Sequence, residues 1–287
     1  MAQTAPDRTH PVLTPASVAW QRSSDARGLL LAGRALLLQV AHPTVAAGVR
    51  EHSRYRADPW TRLERTLDSL YTYLYSPDAE AEAARLRALH RTIRGVTPDG
   101  RRYSALEPEA YAWVHATIVE TITVAQAWGA RPLRGDELDR YYGEMLEVGR
   151  LLGVRDGDLP ADWGGFVDWY DGMIRTRLED GDVVREVLDT LCRPAAPPVP
   201  HLPGAAWSVA RRPVGHLFRI GTVGLLPAPL RERWRLPWSR ADELELRSLG
   251  AALRLTHPLV PGRLRVLGPA YLRLQRRRGR ISPPAAA

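Results

Sequence analysis

The chain of 287 residues has one cysteine, Cys192, and no lysine, so its 40 basic side chains are all arginine. One cysteine excludes an internal disulfide and a cysteine-based zinc site, and it suits a reducing compartment, so a cytoplasmic location is expected. No GxSxG, HExxH or Gly-rich phosphate loop occurs, which leaves hydrolase, zinc-protease and nucleotide-binding readings without a motif. Cys192 stands before a Pro-rich run with no nucleophile signature around it. Strand-like alternation of any length is missing, as is a fixed-period repeat. The opening MAQTAPDRTHPVLTP lacks the charged-then-apolar order of a secretory signal. The net charge is +8, but the arginines are dispersed rather than gathered in a stripe, so no nucleic-acid partner is expected.

What is present centres on Leu29 to Thr66, LLLAGRALLLQVAHPTVAAGVREHSRYRADPWTRLERT. An apolar run comes first, then His42-Pro43, a second apolar turn, a His-containing polar patch and an Arg-rich helix start. A run apolar on nearly every side is buried in protein or in lipid. Arg34 lies inside it, and an arginine at mid-membrane costs about 2.5–3.5 kcal/mol on insertion scales. Gln39, His42 and Pro43 weigh further against a span, so a buried core helix is expected, with no transmembrane segment.

Helix signals recur along the chain. Ser23-Ser24-Asp25 marks a start, and that helix is expected to run to Ala41. Pro43 suits the first turn of a helix over 44–51, and Asp58-Pro59 opens another with Asp58 as its cap. A helix from Ser76-Pro77-Asp78 carries Leu86, His90 and Ile93 on its apolar side, with Gly95 as the expected C-cap. Thr97-Pro98-Asp99-Gly100 is a turn, followed by a short extended piece over 101–105. Further helices are expected over 107–128, 136–152 (stopped by Gly153), 160–179 and 183–191. The strap CRPAAPPVPHLP follows, then helices over 205–223, 228–235, 239–256 and 258–278. The class is all-α. A single multi-helix domain is expected over 17–275, with a C-terminal set of helices after the strap, an arm over 1–16 and a basic, Pro/Ala-rich tail over 276–287.

Several side chains could carry chemistry. His90 reads either as a core histidine bonded to a carbonyl or as an axial ligand to haem iron, which takes a neutral imidazole in an apolar pocket. Arg62, Arg65 and Thr66 fall within one turn, and Arg62 and Thr66 share a face. They read as a solvated arginine face, or as an arginine for an acidic group such as a haem propionate beside a cavity-lining hydroxyl. His42 reads as a helix-end residue, and His42 with His52 has no recognised zinc spacing. His115 reads as a packed histidine and is the reserve ligand.

The runs LLLQVAHPTVAAGVREHS, WTRLERT and ALHRTIRGVTPDGRRYSALEPEAYAWVHA, with GLLPAPLRERWRLPW and THPLVPGRLR, are similar to one family over roughly 17–275. That family is a bacterial domain shared with latex-clearing rubber oxygenases and a fungal membrane-bound oxygenase of mycophenolic acid biosynthesis. The resemblance implies an all-helical fold with a globin-like core and a bound haem b. It implies an axial histidine at His90, and an Arg-x-x-Lys-Thr element at Arg62, Arg65 and Thr66, with Arg65 where the pattern has lysine. The distal glutamate of rubber oxygenases has its nearest counterpart in Glu51, at a different spacing from Arg62. The chain is shorter than a rubber oxygenase, so the expectation is an iron-dependent oxidoreductase that uses O2 on a small lipophilic metabolite. Two other readings remain open: a non-catalytic haem or apolar-ligand carrier, and a peripheral membrane or nucleic-acid binder using the Arg-rich tail.

Overall fold

The central apolar run does not form one rod. In the structure, a computed structural model that describes residues 12–53, 55–199 and 201–279, α1 (Val18–Ser23) is followed by a 3-10 segment, Ala26–Leu31, and then by α2 (Ala32–Val40). The expected continuous helix to Ala41 is therefore broken. The Asp25 side chain accepts from the Arg27 amide and starts the tighter turn before α2 begins. His42 is extended, and Pro43 opens α3 (Pro43–His52) at its first position, where no amide hydrogen is needed. The chain bends by 103° at that corner. Among the described residues no single helix is long and apolar enough to cross a membrane.

Asp58 caps α4 (Pro59–Tyr75), its carboxylate accepting from the Thr61 amide. α5 (Ala79–Thr92) follows after a three-residue turn and packs against α4. Next comes an antiparallel hairpin of β1 (Arg94–Val96) and β2 (Arg102–Ser104), with Gly95 opposite Tyr103. Here Gly95 departs from its expected C-cap role, because α5 already ends at Ile93. A side chain at 95 would stand 2.7 Å from the Tyr103 hydroxyl and 2.9 Å from Glu51 Oε2, so the position demands a bare backbone.

α6 (Pro108–Gly129) is the central helix. α7 (Asp136–Leu152) ends at Gly153, in the left-handed region, and α8 (Trp163–Thr176) and α9 (Asp182–Cys192) follow. Beyond the strap come α10 (Gly204–Gly224), α11 (Ala228–Arg233) and α12 (Arg240–Thr256). Ser239 and Asp242 close a capping box at the start of α12. The single helix expected over 258–278 is instead a 3-10 turn (His257–Leu259), α13 (Gly262–Arg265) and α14 (Leu267–Arg277), interrupted around Pro261. The described residues are 71% helical, and the one sheet among them has two strands, so the class is all-α. Residues 1–11 of the expected arm and 280–287 of the expected tail lie outside the described residues.

The core forms around Trp113 of α6, fully buried against Tyr170 of α8. Arg34 is just 1% exposed, yet every part of its guanidinium is engaged. It donates to Glu120 Oε1 and Thr121 Oγ1 at 2.8 Å each and to the Leu225 carbonyl, while Tyr170 donates to Glu120 at 3.2 Å. Burial opposes the charge on Arg34, and Glu120 with Tyr170 outweighs it. This network ties α2, α6, α8 and the end of α10 together.

Candidate functional site

Arg85 of α5 donates through Nη2 to Ser69 Oγ of α4 at 2.8 Å. Because α4 and α5 run antiparallel through a short turn, this bond fixes their relative height. Five residues back from Ser69 and five on from Arg85 bring Glu64 level with His90, between Arg62 and Thr66. Positions 62, 66, 69 and 73 share one helix face, the face from which Ser69 meets α5.

The two ends of this hairpin differ. Near the turn, Tyr71, Thr72, Tyr73, Leu74, Ala79 and Ala83 are buried. Toward Pro59 and Thr92 no residue of either helix is buried, and Leu63 and Leu89 are exposed at 36% and 48%. Arg62, Thr66 and His90 therefore stand where the hairpin has no packed core of its own.

His90 is half-buried, its ring edge-on to Tyr111 of α6 with centroids 5.5 Å apart. Tyr111 is itself held by its hydroxyl, which donates to the Leu152 carbonyl at 2.9 Å. Burial lowers the His90 pKa, with Arg85 adding to the effect and the Leu86 carbonyl, one turn earlier, opposing it. Nδ1 is buried and closes no hydrogen bond of ordinary geometry. The result is an imidazole held in its neutral form.

Arg62 is half-buried and donates to Ser53 Oγ. Burial lowers its pKa, and the Tyr55 phenol partly compensates. Arg65 is exposed. Thr66 is also exposed, and its hydroxyl donates to the Arg62 carbonyl at 2.9 Å. Glu51 lies near this end of the hairpin, two residues before Ser53. Tyr103 donates to Glu51 Oε2, and His52 Nε2 lies 3.2 Å from the same hydroxyl. Burial and Glu51 push the Tyr103 pKa up to about 12.

The other two histidines sit in packing positions. His42 is 2% exposed at the α3 start, with Nε2 3.4 Å from Glu109 of α6, which also pairs with Arg177. Burial lowers its pKa, with Glu109 opposing. His115 is fully enclosed, and its Nε2 lies 2.8 Å from the Met145 carbonyl of α7, an acceptor that fixes Nε2 as the protonated nitrogen. Burial pushes its pKa down to about 4. Among the described residues no three His, Cys, Asp or Glu side chains form a metal-holding group. A cavity of about 360 Å³ lies elsewhere, lined by Leu188, Cys192, Arg219 and Val223, and none of the candidate residues lines it.

The structure places His90 against Tyr111 of α6, Arg62 against Ser53 and Thr66 exposed on α4, and leaves His42 and His115 at separate helix contacts. Sequence reasoning missed Ser53, Tyr103 and the pairing of Tyr111 with His90. Only Tyr103 carried a readable signal: the Thr97–Gly100 turn, flanked by short extended pieces, places it opposite Gly95.

α4 and α5 thus carry a half-buried arginine and a neutral imidazole, side chains that suit an acidic group and a metal ion respectively. Comparison with protein families identifies the chain's family. Residues 20–255 match the model described as "ER-bound oxygenase mpaB/B'/Rubber oxygenase, catalytic domain", and the chain belongs to that family. No curated protein and no solved structure matches it.

Proposed function

We propose that this chain is a haem b-dependent oxygenase acting on a small lipophilic metabolite, with O2 as co-substrate. Membership of an oxygenase family supports the reaction class. The observation that carries the cofactor is His90: a half-buried imidazole that burial keeps neutral, edge-on to Tyr111 on the helix that follows Arg62 and Thr66.

The residues present fit a haem. A ligand imidazole must be neutral, because protonation occupies its lone pair, and burial keeps His90 neutral at pH 7. Arg62 has a hydroxyl as its protein partner and a guanidinium suited to a propionate. Arg65 offers a second cation at the rim. Thr66, its hydroxyl turned to the Arg62 carbonyl, lines the opening. Leu63 and Leu89 supply exposed apolar surface for a macrocycle or a lipophilic substrate. When bound, haem supplies the iron chemistry that directs O2 to an electron-rich carbon such as an alkene. Glu51, fixed by Tyr103, is the carboxylate placed to hold a proton at this end of the site. His42 acts through position, anchoring the start of the helix that carries Glu51.

Oxygen uptake by the haem-loaded protein with a lipophilic alkene tests the reading. Sustained consumption beyond one equivalent of protein is expected. Stable haem binding with no turnover would instead make the chain a carrier.

A further inference from the structure

The last acidic residue of the chain is Glu245. From Leu246 to Ala287 there are nine arginines and no aspartate or glutamate, so these 42 residues hold a formal +9 and the rest of the chain −1. The same stretch displays bare apolar side chains. Leu255, Leu259 and Leu264 are 77%, 82% and 60% exposed.

The local structure explains why they project. Arg265 folds inward, its Nη2 donating to the Pro258 carbonyl at 2.6 Å and its Nε to the Val260 carbonyl. It staples residues 258–265 into a closed loop and leaves Leu259 and Leu264 facing outward. The loop is docked by α13 on the 3-10 segment Ala26–Leu31, by a bridge from Val266 to Asp25, and by the Leu267 amide on the Ser24 carbonyl at 2.8 Å. That segment adds Leu29 and Leu30, also exposed. Arg254, Arg273, Arg277 and Arg278 lie exposed in the same C-terminal stretch.

We propose that this C-terminal surface docks on an anionic lipid bilayer, inserting Leu255, Leu259 and Leu264 while the arginines meet the headgroups. Apolar insertion combined with basic side chains is the chemistry of peripheral membrane attachment, and each arginine near an anionic surface strengthens it roughly fivefold. A second copy of the chain is disfavoured, because two such surfaces repel. Nucleic acid leaves the leucines unused, and it lacks a stacking platform: Tyr271, the aromatic residue of the stretch, donates its hydroxyl to Asp68 at 2.7 Å.

Co-sedimentation of the full chain with phosphatidylcholine vesicles, with and without phosphatidylserine, tests the proposal. Binding is expected with phosphatidylserine, weakening as salt rises. The triple variant Leu255→Ser/Leu259→Ser/Leu264→Ser should lower it about tenfold or more with an unchanged circular dichroism spectrum. Failure to bind the anionic vesicles overturns the proposal, as does wild-type binding by the variant. Self-association relieved by the variant, or duplex DNA binding in place of vesicle binding, overturns it equally. None of these readouts depends on haem.

Discussion

The hydrogen bond from Arg85 to Ser69 ties α5 to α4 five residues before His90, whose ring stands edge-on to Tyr111 of α6. Two helices joined by a three-residue turn have little freedom to slide, so one cross-hairpin bond carries the register to their far ends. Those ends have no buried residues, while the ends near the turn do. The hairpin is therefore more deeply packed at the turn than at its far ends, where α14 bonds α4 and α5 meets α6 and α7.

Arg62 is the first residue to test at the far end. Its side chain bonds a serine hydroxyl, and burial depresses its pKa, so the charge is not there to hold the fold. Arg62→Met keeps the apolar stem and removes the guanidinium. Haem affinity, followed by titration with hemin, should weaken about tenfold with little change in melting temperature. Unchanged affinity would take Arg62 out of the site.

His115 makes a prediction about acid. Its pKa is about 4 in the fold, against an ordinary 6.5. Between those values the unfolded chain binds the proton and the folded chain does not, so stability is full above pH 6.5 and falls as the pH drops toward 4. The loss from this group is roughly 3 kcal/mol. His42 and His90, also lowered by burial, act in the same direction. Urea unfolding across this range should show a shallower decline in His115→Gln than in the wild type. Parallel declines would mean that His115 titrates normally.

The Arg34–Glu120 pair predicts an asymmetry. Glu120→Ala leaves a buried guanidinium without its carboxylate and should cost about 3–5 kcal/mol in denaturant unfolding. The double variant Arg34→Met/Glu120→Leu removes both charges and should cost less than Glu120→Ala alone. A double variant at least as unstable as the single one would show that the pair contributes more than it costs to bury.

Local signals were legible and distant ones were not. Asp58-Pro59 and Gly153 act within one turn, and each marks an observed helix end. The turn at Thr97–Gly100 and the extended piece after it also form, although the partner strand over 94–96 was not foreseen. Gly95 shows the limit. As a local signal it reads as a helix stop, but the side chains of Tyr103 and Glu51 decide its role. The partner of Arg34 lies 86 residues away, and no spacing rule reaches it. At the site, the contacts of His90 with Tyr111 and of Arg62 with Ser53 depend on how other helices pack around it.

The most direct test of the account is the absorption spectrum of the purified protein after hemin reconstitution, compared with His90→Ala and with His115→Gln. The account predicts a Soret band in the wild type, retained in His115→Gln and lost or shifted to that of free hemin in His90→Ala. A wild-type protein that takes up no haem, or a His90→Ala variant with the wild-type band, would contradict it.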